Sequence, residues 1–489
     1  MPRTGREYLD SLKDDRAVYV GGERVKDVTE HPAFRGAARS IAGLYDLTAS
    51  ADARDGMTYP SPRTGEPVNV SFLLPRDRAD LARRRRGLTA WAESTYGLMG
   101  RSPDHVAGFL VGFALRPDVF ARGGARYADH VLRYYEHVRD HDLYVSYVLI
   151  PPQIDRSKPA HQQADPTLYA GVVEERTDGI VISGAQMLGT GAAISNEVFF
   201  SCILPLRPGD ENYALSLAVP ANTPGLRMIV RRPYAEGAPS VFDYPLSTRF
   251  DESDAVLVFD RVFVPWDRVF IYRDPALTFA QFYETPAHLF GNHQAQVRFA
   301  VKSRFLTGLA HRIAEANGLD KVPPVQSTLG ELASYSAMAG GLVTASEAEC
   351  VEDPRGFVYP SPTYIYANGW LQATYYGTML NILRELTGAG FLQVPSSARD
   401  FHNAEIAGDL RRFLGSPGRD ALERTKLFKL AWDLVGSEFA GRHAQYELFY
   451  AGSRSMTTSL RSYRAYDFQT ARALVDRCLA SYDLPPAEP

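Results

Sequence analysis

The sequence predicts an α+β protein in which a helical part, a β part and a second helical part follow one another. Through the first 146 residues, apolar side chains recur at spacings of three and four, as in Asp104–Phe113 and Tyr127–His141, which is typical of helices packed on a core. From about Tyr147 to Phe270, short β-branched and aromatic runs alternate with turn residues, as strands do. After Pro265 and Trp266, long amphipathic stretches return.

These changes of pattern predict three domains: an N-terminal helical domain at 1–146, a middle β domain at 147–272, and a C-terminal four-helix-bundle domain at 273–489. In the middle domain, the runs are too closely spaced for helical crossovers, so we expect antiparallel pairing. The long helices expected after it cover about Phe279–Asn317, Thr328–Glu349, Tyr366–Leu386 and Asp420–Phe449.

Composition and charge exclude several classes of protein. The 489 residues are 45% hydrophobic and 22% charged, as in ordinary globular proteins, and the net charge of −4 gives no basic field for nucleic acid or a membrane surface. The cysteines, Cys202, Cys350 and Cys478, are too far apart for a disulfide scaffold or a paired-cysteine metal site, and they fit a reducing compartment. With no apolar signal region, we expect a cytoplasmic protein.

Common catalytic and binding motifs are missing. Gly189-Thr-Gly191 lacks the third glycine and the strand–turn–helix setting of a dinucleotide fingerprint. His137 and His141 stand four residues apart, beside Glu136 and Asp140, at a spacing that can hold zinc. Because the sequence offers no third ligand, we interpret this cluster as a polar helix end and predict no metal.

Several segments, in the same order along nearly the whole chain, resemble the large (oxygenase) component family of 4-hydroxyphenylacetate 3-monooxygenase. These segments are Thr4–Leu9, Val18–Val28, Tyr96–Asp104, Pro152–Ser157, Gly184–Thr190, Pro245–Asp254 and Val262–Phe270. Each match alone is weak, and their order makes the resemblance specific.

The resemblance implies an acyl-CoA dehydrogenase-like fold whose middle domain is an antiparallel β-barrel. It also implies a two-component, FADH2-dependent aromatic hydroxylase. Reduced FAD, supplied by a separate NAD(P)H:flavin reductase, would bind between the middle domain and the C-terminal bundle. There it would react with O2 to a C4a-hydroperoxide, whose distal oxygen passes to a small aromatic substrate. A homotetramer is the assembly that the resemblance implies.

Three residues are implied to act on the substrate, Arg101, His105 and Tyr147. Arg101 matches a family arginine that helps to bind the substrate. At the other two positions this chain departs from the family, since the tyrosine after Arg-Ser-Pro-Asp is His105 and the later histidine is Tyr147. His105 could still stabilise a phenolate with Tyr147 donating a hydrogen bond, so hydroxylation of a phenol remains the expected reaction.

A second set of residues is implied to hold FAD: Gln153, Asp155, Arg156, Thr190, Gly452 and Ser453. Gln153 and Arg156 would grip the diphosphate or the ring edge, with Asp155 orienting the arginine. The hydroxyl of Thr190 would face the flavin ring. Gly452 and Ser453 match a flavin-binding segment less closely, because Ser453 replaces an acidic residue.

Three alternatives remain open at this point. The exchange of His105 and Tyr147 could mark a non-phenolic substrate such as an indole, a pyrrole, an amine or a carrier-tethered amino acid. An acyl-CoA dehydrogenase-type flavoenzyme would need a glutamate base, for which Glu447 or Glu197 could be nominated. A non-catalytic paralogue could bind flavin or an aromatic ligand only. The related 4-hydroxybutyryl-CoA dehydratases are excluded, since the N-terminal part lacks their cluster-binding cysteines.

Overall fold

The structure, a computed structural model, describes residues 2–416, 418–451 and 457–481. The N-terminal part is mainly helical. Its helices are α1 (Gly5–Ser11), α2 (Arg35–Ala49), α3 (Arg54–Met57), α4 (Arg78–Ser94), α5 (Pro103–Leu115), α6 (Pro117–Ala121) and α7 (Ala125–His141). Four short strands interrupt them: β1 (Ala17–Val20), β2 (Glu23–Arg24), β3 (Thr58–Pro60) and β4 (Pro67–Asn69). With two to four residues each, these strands leave too little alternation for the sequence to predict them.

The middle part carries most of the strands and one short helix, α8 (Ser247–Phe250). Its strands are β5 (Val145–Val148), β6 (Gly171–Glu175), β7 (Gly179–Met187), β8 (Glu197–Phe200), β9 (Leu215–Pro220), β10 (Leu226–Val230), β11 (Ala255–Pro265) and β12 (Val269–Tyr272). They form a six-stranded sheet in the order β2-β1-β10-β11-β7-β6 and a four-stranded sheet in the order β12-β9-β8-β5.

The expected barrel is wrong in detail, because neither sheet closes on itself in the described part of the chain. The sheets instead bury their apolar sides against each other, as where the rings of Phe200 and Phe259 meet edge to face at 5.5 Å. Two strand pairs are also parallel rather than antiparallel, β1 with β10 and β5 with β8. The first of these brings the N-terminal part into the main sheet.

The C-terminal part is helical apart from the hairpin β13 (Val351–Asp353) and β14 (Phe357–Tyr359). Its helices are α9 (Pro275–Tyr283), α10 (Ala287–Ala316), α11 (Pro323–Ala348), α12 (Pro362–Thr387), α13 (Ala407–Phe413), α14 (Ala421–Val435), α15 (Glu438–Ala451), α16 (Ser459–Ala465) and α17 (Phe468–Leu479). The four predicted helical stretches are present, but two of them are interrupted. The first is broken between α9 and α10, just before Pro286, and the last at Gly436, where a Cβ atom would meet the Trp432 ring at 2.4 Å.

Two helices, α5 and α10, form the centre of the molecule. All 13 residues of α5 are buried, as expected for a helix that is apolar on every side. It crosses the 30-residue α10 at Gly112, where a Cβ atom would come within 2.2 Å of the backbone of Ala287. Helix α10 also packs against α4, α11 and α12, and α12 packs against α15. The polar residues of α5 are therefore enclosed by protein. In the described residues, no helix has the length and apolar character needed to cross a bilayer.

Candidate active site

The turn before α5 is held by the middle part of the chain. The backbone N–H of Arg101 donates to the Glu252 carboxylate at 2.5 Å, and the Arg101 carbonyl accepts from the Tyr144 hydroxyl at 2.7 Å. Glycine is required just before it, because a Cβ atom at Gly100 would lie 2.2 Å from the hydroxyl of Tyr446. These contacts fix the position of the Arg101 backbone, from which its side chain extends.

The guanidinium of Arg101 lies among three tyrosine rings. Its central carbon is 5.2 Å from the ring centre of Tyr147, 5.0 Å from that of Tyr446 and 4.5 Å from that of Tyr450, and it donates to the Tyr446 hydroxyl. Burial alone would lower the pKa of Arg101, but the three tyrosine hydroxyls and Glu252 raise it above its ordinary value. The site therefore holds a fixed positive charge within aromatic walls.

His105 is the third residue of α5 and is completely buried. Its ring centre is 5.4 Å from that of Tyr147 and 5.7 Å from that of Tyr450, the same two rings that Arg101 contacts. Burial, and then the charge of Arg101, hold the pKa of His105 well below its usual range. His105 is therefore a neutral imidazole at physiological pH.

The two ring nitrogens of His105 differ in their partners. Nδ1 lies 3.0 Å from the amide oxygen of Gln294, on α10, whereas Nε2 is buried and has no hydrogen-bond partner among the described residues. The amide nitrogen of Gln294 donates to Asp104 Oδ1 at 3.1 Å, and Ser102 donates to the same oxygen at 2.6 Å. Burial raises the pKa of Asp104 to about 6.

Tyr147 connects this cluster to the loop that was predicted to bind flavin. Its strand, β5, runs on to Ile150, which pairs with Met187 at the end of β7. Gln153 and Thr190 each lie three residues beyond that pair. The structure thus brings Arg101, His105 and Tyr147 together. The loop of Gln153 and the turn of Thr190 both begin at the paired residues Ile150 and Met187.

The hydroxyl of Thr190 donates to Asp254 at 2.6 Å. Asp254 also accepts from Arg442 at 2.8 and 3.1 Å and from Arg231 at 2.8 Å. Burial alone would raise the pKa of Asp254, but Arg442 and Arg231 hold it far below its ordinary value. Asp254 therefore stays ionised and fixes the hydroxyl hydrogen of Thr190, which leaves the oxygen of Thr190 free to accept a hydrogen bond.

The loop residues Gln153 and Arg156 are exposed, and neither side chain bonds to another described side chain. The expected pairing of Asp155 with Arg156 is wrong, because Asp155 accepts from Ser157 at 2.6 Å and lies 3.3 Å from Lys158. The backbone N–H of Lys158 donates to the Asp155 carbonyl at 3.4 Å, and this turn brings the side chains of Asp155 and Lys158 together. Gly452 and Ser453 lie outside the described residues.

A buried ion network lies behind the aromatic cluster, and the sequence did not reveal it. Arg298 donates two hydrogen bonds of 2.7 Å to the carboxylate of Glu447, Lys302 donates one of 2.8 Å, and Gln372 donates one of 2.6 Å. Arg298 and Lys302 overcome the effect of burial and lower the pKa of Glu447 to about 2. A carboxylate so occupied is a poor proton acceptor.

The other carboxylate nominated for a dehydrogenase, Glu197, is similarly engaged. It lies 2.6 Å from Arg268, and His137 and Arg268 hold its pKa below the ordinary value although burial would raise it. Neither Glu197 nor Glu447 offers a free base, so the geometry does not support the dehydrogenase alternative.

Sequence reasoning missed Tyr446, Arg442 and Gln294 as site residues. Arg442, Tyr446 and Tyr450 recur every fourth residue on α15, a spacing that puts them on one helix face. That pattern was available in the sequence, although nothing there shows that the face meets α5. No local signal marks Gln294.

In the part of the chain that the structure describes, no three His, Cys, Asp or Glu side chains converge as metal ligands. In the cluster considered above, Asp140 binds Arg63 and Arg139, and His137 lies 3.6 Å from Glu197.

Comparison with protein families matches almost the entire chain. The model of the 4-hydroxyphenylacetate 3-hydroxylase N-terminal domain matches residues 4–271, and that of the C-terminal domain matches residues 279–480.

Similar proteins include the oxygenase component of 4-hydroxyphenylacetate 3-monooxygenase from a Geobacillus strain, 36% identical over 92% of this chain and 91% of that protein. The oxygenase component of 4-nitrophenol 2-monooxygenase from Rhodococcus is 36% identical over 99% and 93%. A Streptomyces globisporus monooxygenase of (3S)-3-amino-3-(3-chloro-4-hydroxyphenyl)propanoyl-carrier protein is 36% identical over 99% and 92%.

Among solved structures, the oxygenase component of 4-hydroxyphenylacetate 3-monooxygenase in complex with FAD and 4-hydroxyphenylacetate is similar. The TM-score is 0.91 at 34% identity, with 98% of this chain and all of that chain covered. An archaeal 4-hydroxybutyryl-CoA dehydratase from N. maritimus shares the fold, with a TM-score of 0.88 at 22% identity over 100% of this chain and 97% of that chain.

Proposed function

The chain belongs to the 4-hydroxyphenylacetate 3-hydroxylase family, and on that premise we propose that it is the oxygenase component of a two-component monooxygenase that hydroxylates a phenol. The relatives named above act on 4-hydroxyphenylacetate, 4-nitrophenol and a carrier-bound 4-hydroxyphenyl amino acid. These substrates share one feature, a hydroxyl on an aromatic ring. We propose the same feature for the substrate of this chain.

The observation that carries the proposal is the pairing of Arg101 and His105 across the same two tyrosine rings. Arg101 supplies a positive charge, and His105 supplies a neutral ring nitrogen that bonds to no group in the described ranges of the chain. Aromatic walls suit a flat ring, and a fixed cation favours the negative charge that develops on a phenol oxygen as the ring is attacked. In this proposal Arg101 orients the substrate and His105 accepts its hydroxyl hydrogen.

The residues at the flavin positions fit FAD. Arg156 and Gln153 present a cation and an amide from an exposed loop, and neither is bonded to another side chain that the structure describes, as binding of a diphosphate requires. Thr190 offers an acceptor oxygen whose hydrogen is already fixed on Asp254. We propose that these three residues hold the cofactor, with Gly452 and Ser453 assigned by resemblance only. When bound, reduced FAD supplies the electrons that activate O2.

The surrounding helices exclude water from the proposed site and hold its side chains in position. Helix α5 is buried throughout its length, and the turn at Arg101 is tied to Glu252 and Tyr144. Exclusion of water would prevent side reactions of the activated oxygen before it is transferred to the substrate. The ion network of Arg298 and Glu447 fixes α10 against α15, the helix that carries the tyrosine wall.

A reductase and further copies of the chain complete the proposal. The chain lacks a dinucleotide fingerprint, so we assign the reduction of FAD by NAD(P)H to a separate protein. Helix α17 has no buried residue among those described and exposes Leu474, Val475 and Leu479 by more than half. Contact with other copies would cover these side chains, which supports assembly as a homotetramer. We propose the cytoplasm as the location.

The deciding experiment measures oxygen insertion directly. Anaerobic protein with reduced FAD is mixed with isotopically labelled O2 and a panel of 4-substituted phenols, and products are identified by mass spectrometry. We expect one labelled oxygen atom in a catechol product. Reoxidation of FAD that yields only hydrogen peroxide with every phenol, while an indole or amine is oxidised, would overturn the phenol assignment.

Two variants make the assay specific to the site. Arg101→Met removes the charge from the tyrosine cluster and should abolish most product. Arg126→Met is the matched control, since Arg126 also stacks on aromatic rings, Tyr127 and Trp266 at 4.8 and 4.6 Å, but on the surface. Its yield should equal that of the wild type.

A further inference from the structure

The imidazole of His105 has one nitrogen that no described protein group satisfies. Nε2 of His105 is fully buried and has no hydrogen-bond partner in the described part of the chain. Leaving a buried polar atom unpaired is costly, so such an atom in a binding site indicates a missing ligand group. Whether it would donate or accept depends on which ring nitrogen carries the hydrogen.

The hydrogen-bond chain behind the ring settles that question. Ser102 and the amide nitrogen of Gln294 both donate to Oδ1 of Asp104. The opposite orientation of the Gln294 amide would place its oxygen against the Asp104 carboxylate at 3.1 Å, which is repulsive while Asp104 is ionised. The amide oxygen of Gln294 therefore faces His105 Nδ1 at 3.0 Å, and Nδ1 must carry the hydrogen.

We propose that Gln294 is a positioning residue that holds His105 in the Nδ1–H tautomer, so that the lone pair on Nε2 accepts the hydroxyl hydrogen of the substrate. This inference rests on the proposed function, because the ligand group it identifies is the hydroxyl of the phenol to be oxidised. His105 touches the substrate, whereas Gln294 acts only through His105.

The charges around His105 agree with this assignment. Burial, and then the positive charges of Arg101 and Arg298, lower the pKa of His105 and so disfavour a second hydrogen on the imidazole. The rings of Phe109, Tyr147 and Tyr450 cover the other sides of His105 at 5.4 to 5.7 Å. A neutral ring with Nδ1 already hydrogen-bonded can only accept at Nε2.

A preference for ligands that donate a hydrogen bond follows. The site should bind 4-methylphenol more tightly than 4-fluorotoluene, which has nearly the same shape but no hydrogen to donate. Because the fluoro compound leaves Nε2 buried and unpaired, we expect roughly a tenfold or larger difference in Kd. The difference between the two Kd values should vanish in a variant that lacks the Gln294 amide, because the tautomer of His105 is then no longer fixed.

The first test reads the tautomer itself. Nitrogen chemical shifts of protein labelled in its histidines, with FAD added and no substrate, distinguish a protonated Nδ1 from a protonated Nε2. The signals of His105 are assigned from their loss in His105→Gln. A protonated Nδ1 with a bare Nε2 is expected, and a hydrogen on Nε2 would overturn the inference without any need for a variant of Gln294.

The second test uses binding to the protein with oxidised FAD, measured by calorimetry. Gln294→Leu should bring the Kd values of 4-methylphenol and 4-fluorotoluene to within about threefold of each other. Gln294→Glu keeps an acceptor at Nδ1, since the new acid can share its proton with Asp104, and should keep the preference. Gln296→Leu is the matched control, because this buried amide on the same helix bonds to Gln372 instead.

The outcomes separate the inference from the proposed function. If Gln294→Leu binds FAD and still prefers 4-methylphenol as the wild type does, the inference fails even though phenols are hydroxylated. If the preference is lost in Gln296→Leu as well, a general loosening of α10 explains it and the inference also fails. A correct tautomer and preference, with no labelled oxygen inserted into any phenol, would refute the function and leave the assignment of His105 standing.

Discussion

Asp142 gives the sharpest prediction about stability. It ends α7 in the left-handed backbone region, with φ 47° and ψ 52°, where asparagine is also well accommodated. Its side chain is buried, and Oδ2 has no hydrogen-bond partner among the described residues. Burial raises the pKa of Asp142 to about 7, although the charge of Arg3 opposes the rise. We predict that Asp142→Asn stabilises the protein and does so more strongly as the pH rises.

The magnitude follows from the two pKa values. An acid whose pKa is higher in the folded state than in the unfolded state destabilises the folded protein. The effect is largest at pH values where the acid is ionised in both states. The free-energy penalty therefore grows as the pH rises from 3.8, the ordinary pKa of an aspartate, to about 7, and it is constant above that pH. At 1.36 kcal/mol per pKa unit, it is about 4 kcal/mol at pH 8 and about 2 kcal/mol at pH 5. The advantage of Asp142→Asn should grow by about 2 kcal/mol over that interval.

The assay compares thermal unfolding of wild type and variant at one scan rate between pH 5 and pH 9. Asp140→Asn is the matched control, since Asp140 lies two residues earlier and binds Arg63 and Arg139. These partners overcome burial and lower its pKa to about 2, so the control should be less stable than wild type above pH 4. Equal pH trends in Asp142→Asn and wild type would refute the reasoning.

Three further predictions concern the proposed site. Arg101→Ala should lower the yield of hydroxylated product roughly a hundredfold while shifting the unfolding temperature by only a few degrees, and a wild-type yield would exclude a role for the arginine. Thr190→Val removes the hydroxyl bonded to Asp254, so a larger share of reduced FAD should end as hydrogen peroxide, measured with peroxidase; unchanged coupling would contradict this. Exchanging His105→Tyr together with Tyr147→His should move preference towards simple 4-substituted phenols, and an unaltered phenol panel would show that these positions do not read the substrate.

The order of helical, β and helical parts could be predicted from the sequence because apolar residues recur with a different period in helices and in strands. Long helices such as α10 and α12 repeat their apolar residues over many turns, and the strands of the middle part alternate between turn residues. The residues in Tyr96–Asp104 and Pro152–Ser157 carried the family resemblance, and with it the candidate site. Strands as short as β1 and β2 contain too few residues to show an alternating pattern.

The partners within the site were decided by tertiary structure alone. Gln294 meets His105 across 189 positions of the chain, and Tyr446 meets Arg101 across 345. No local pattern encodes such contacts, because they depend on how α5, α10 and α15 pack. The sequence therefore determined which side chains are present for chemistry. Packing alone decided that, among the described residues, a neutral histidine nitrogen has no hydrogen-bond partner and shares its aromatic neighbours with the cation Arg101.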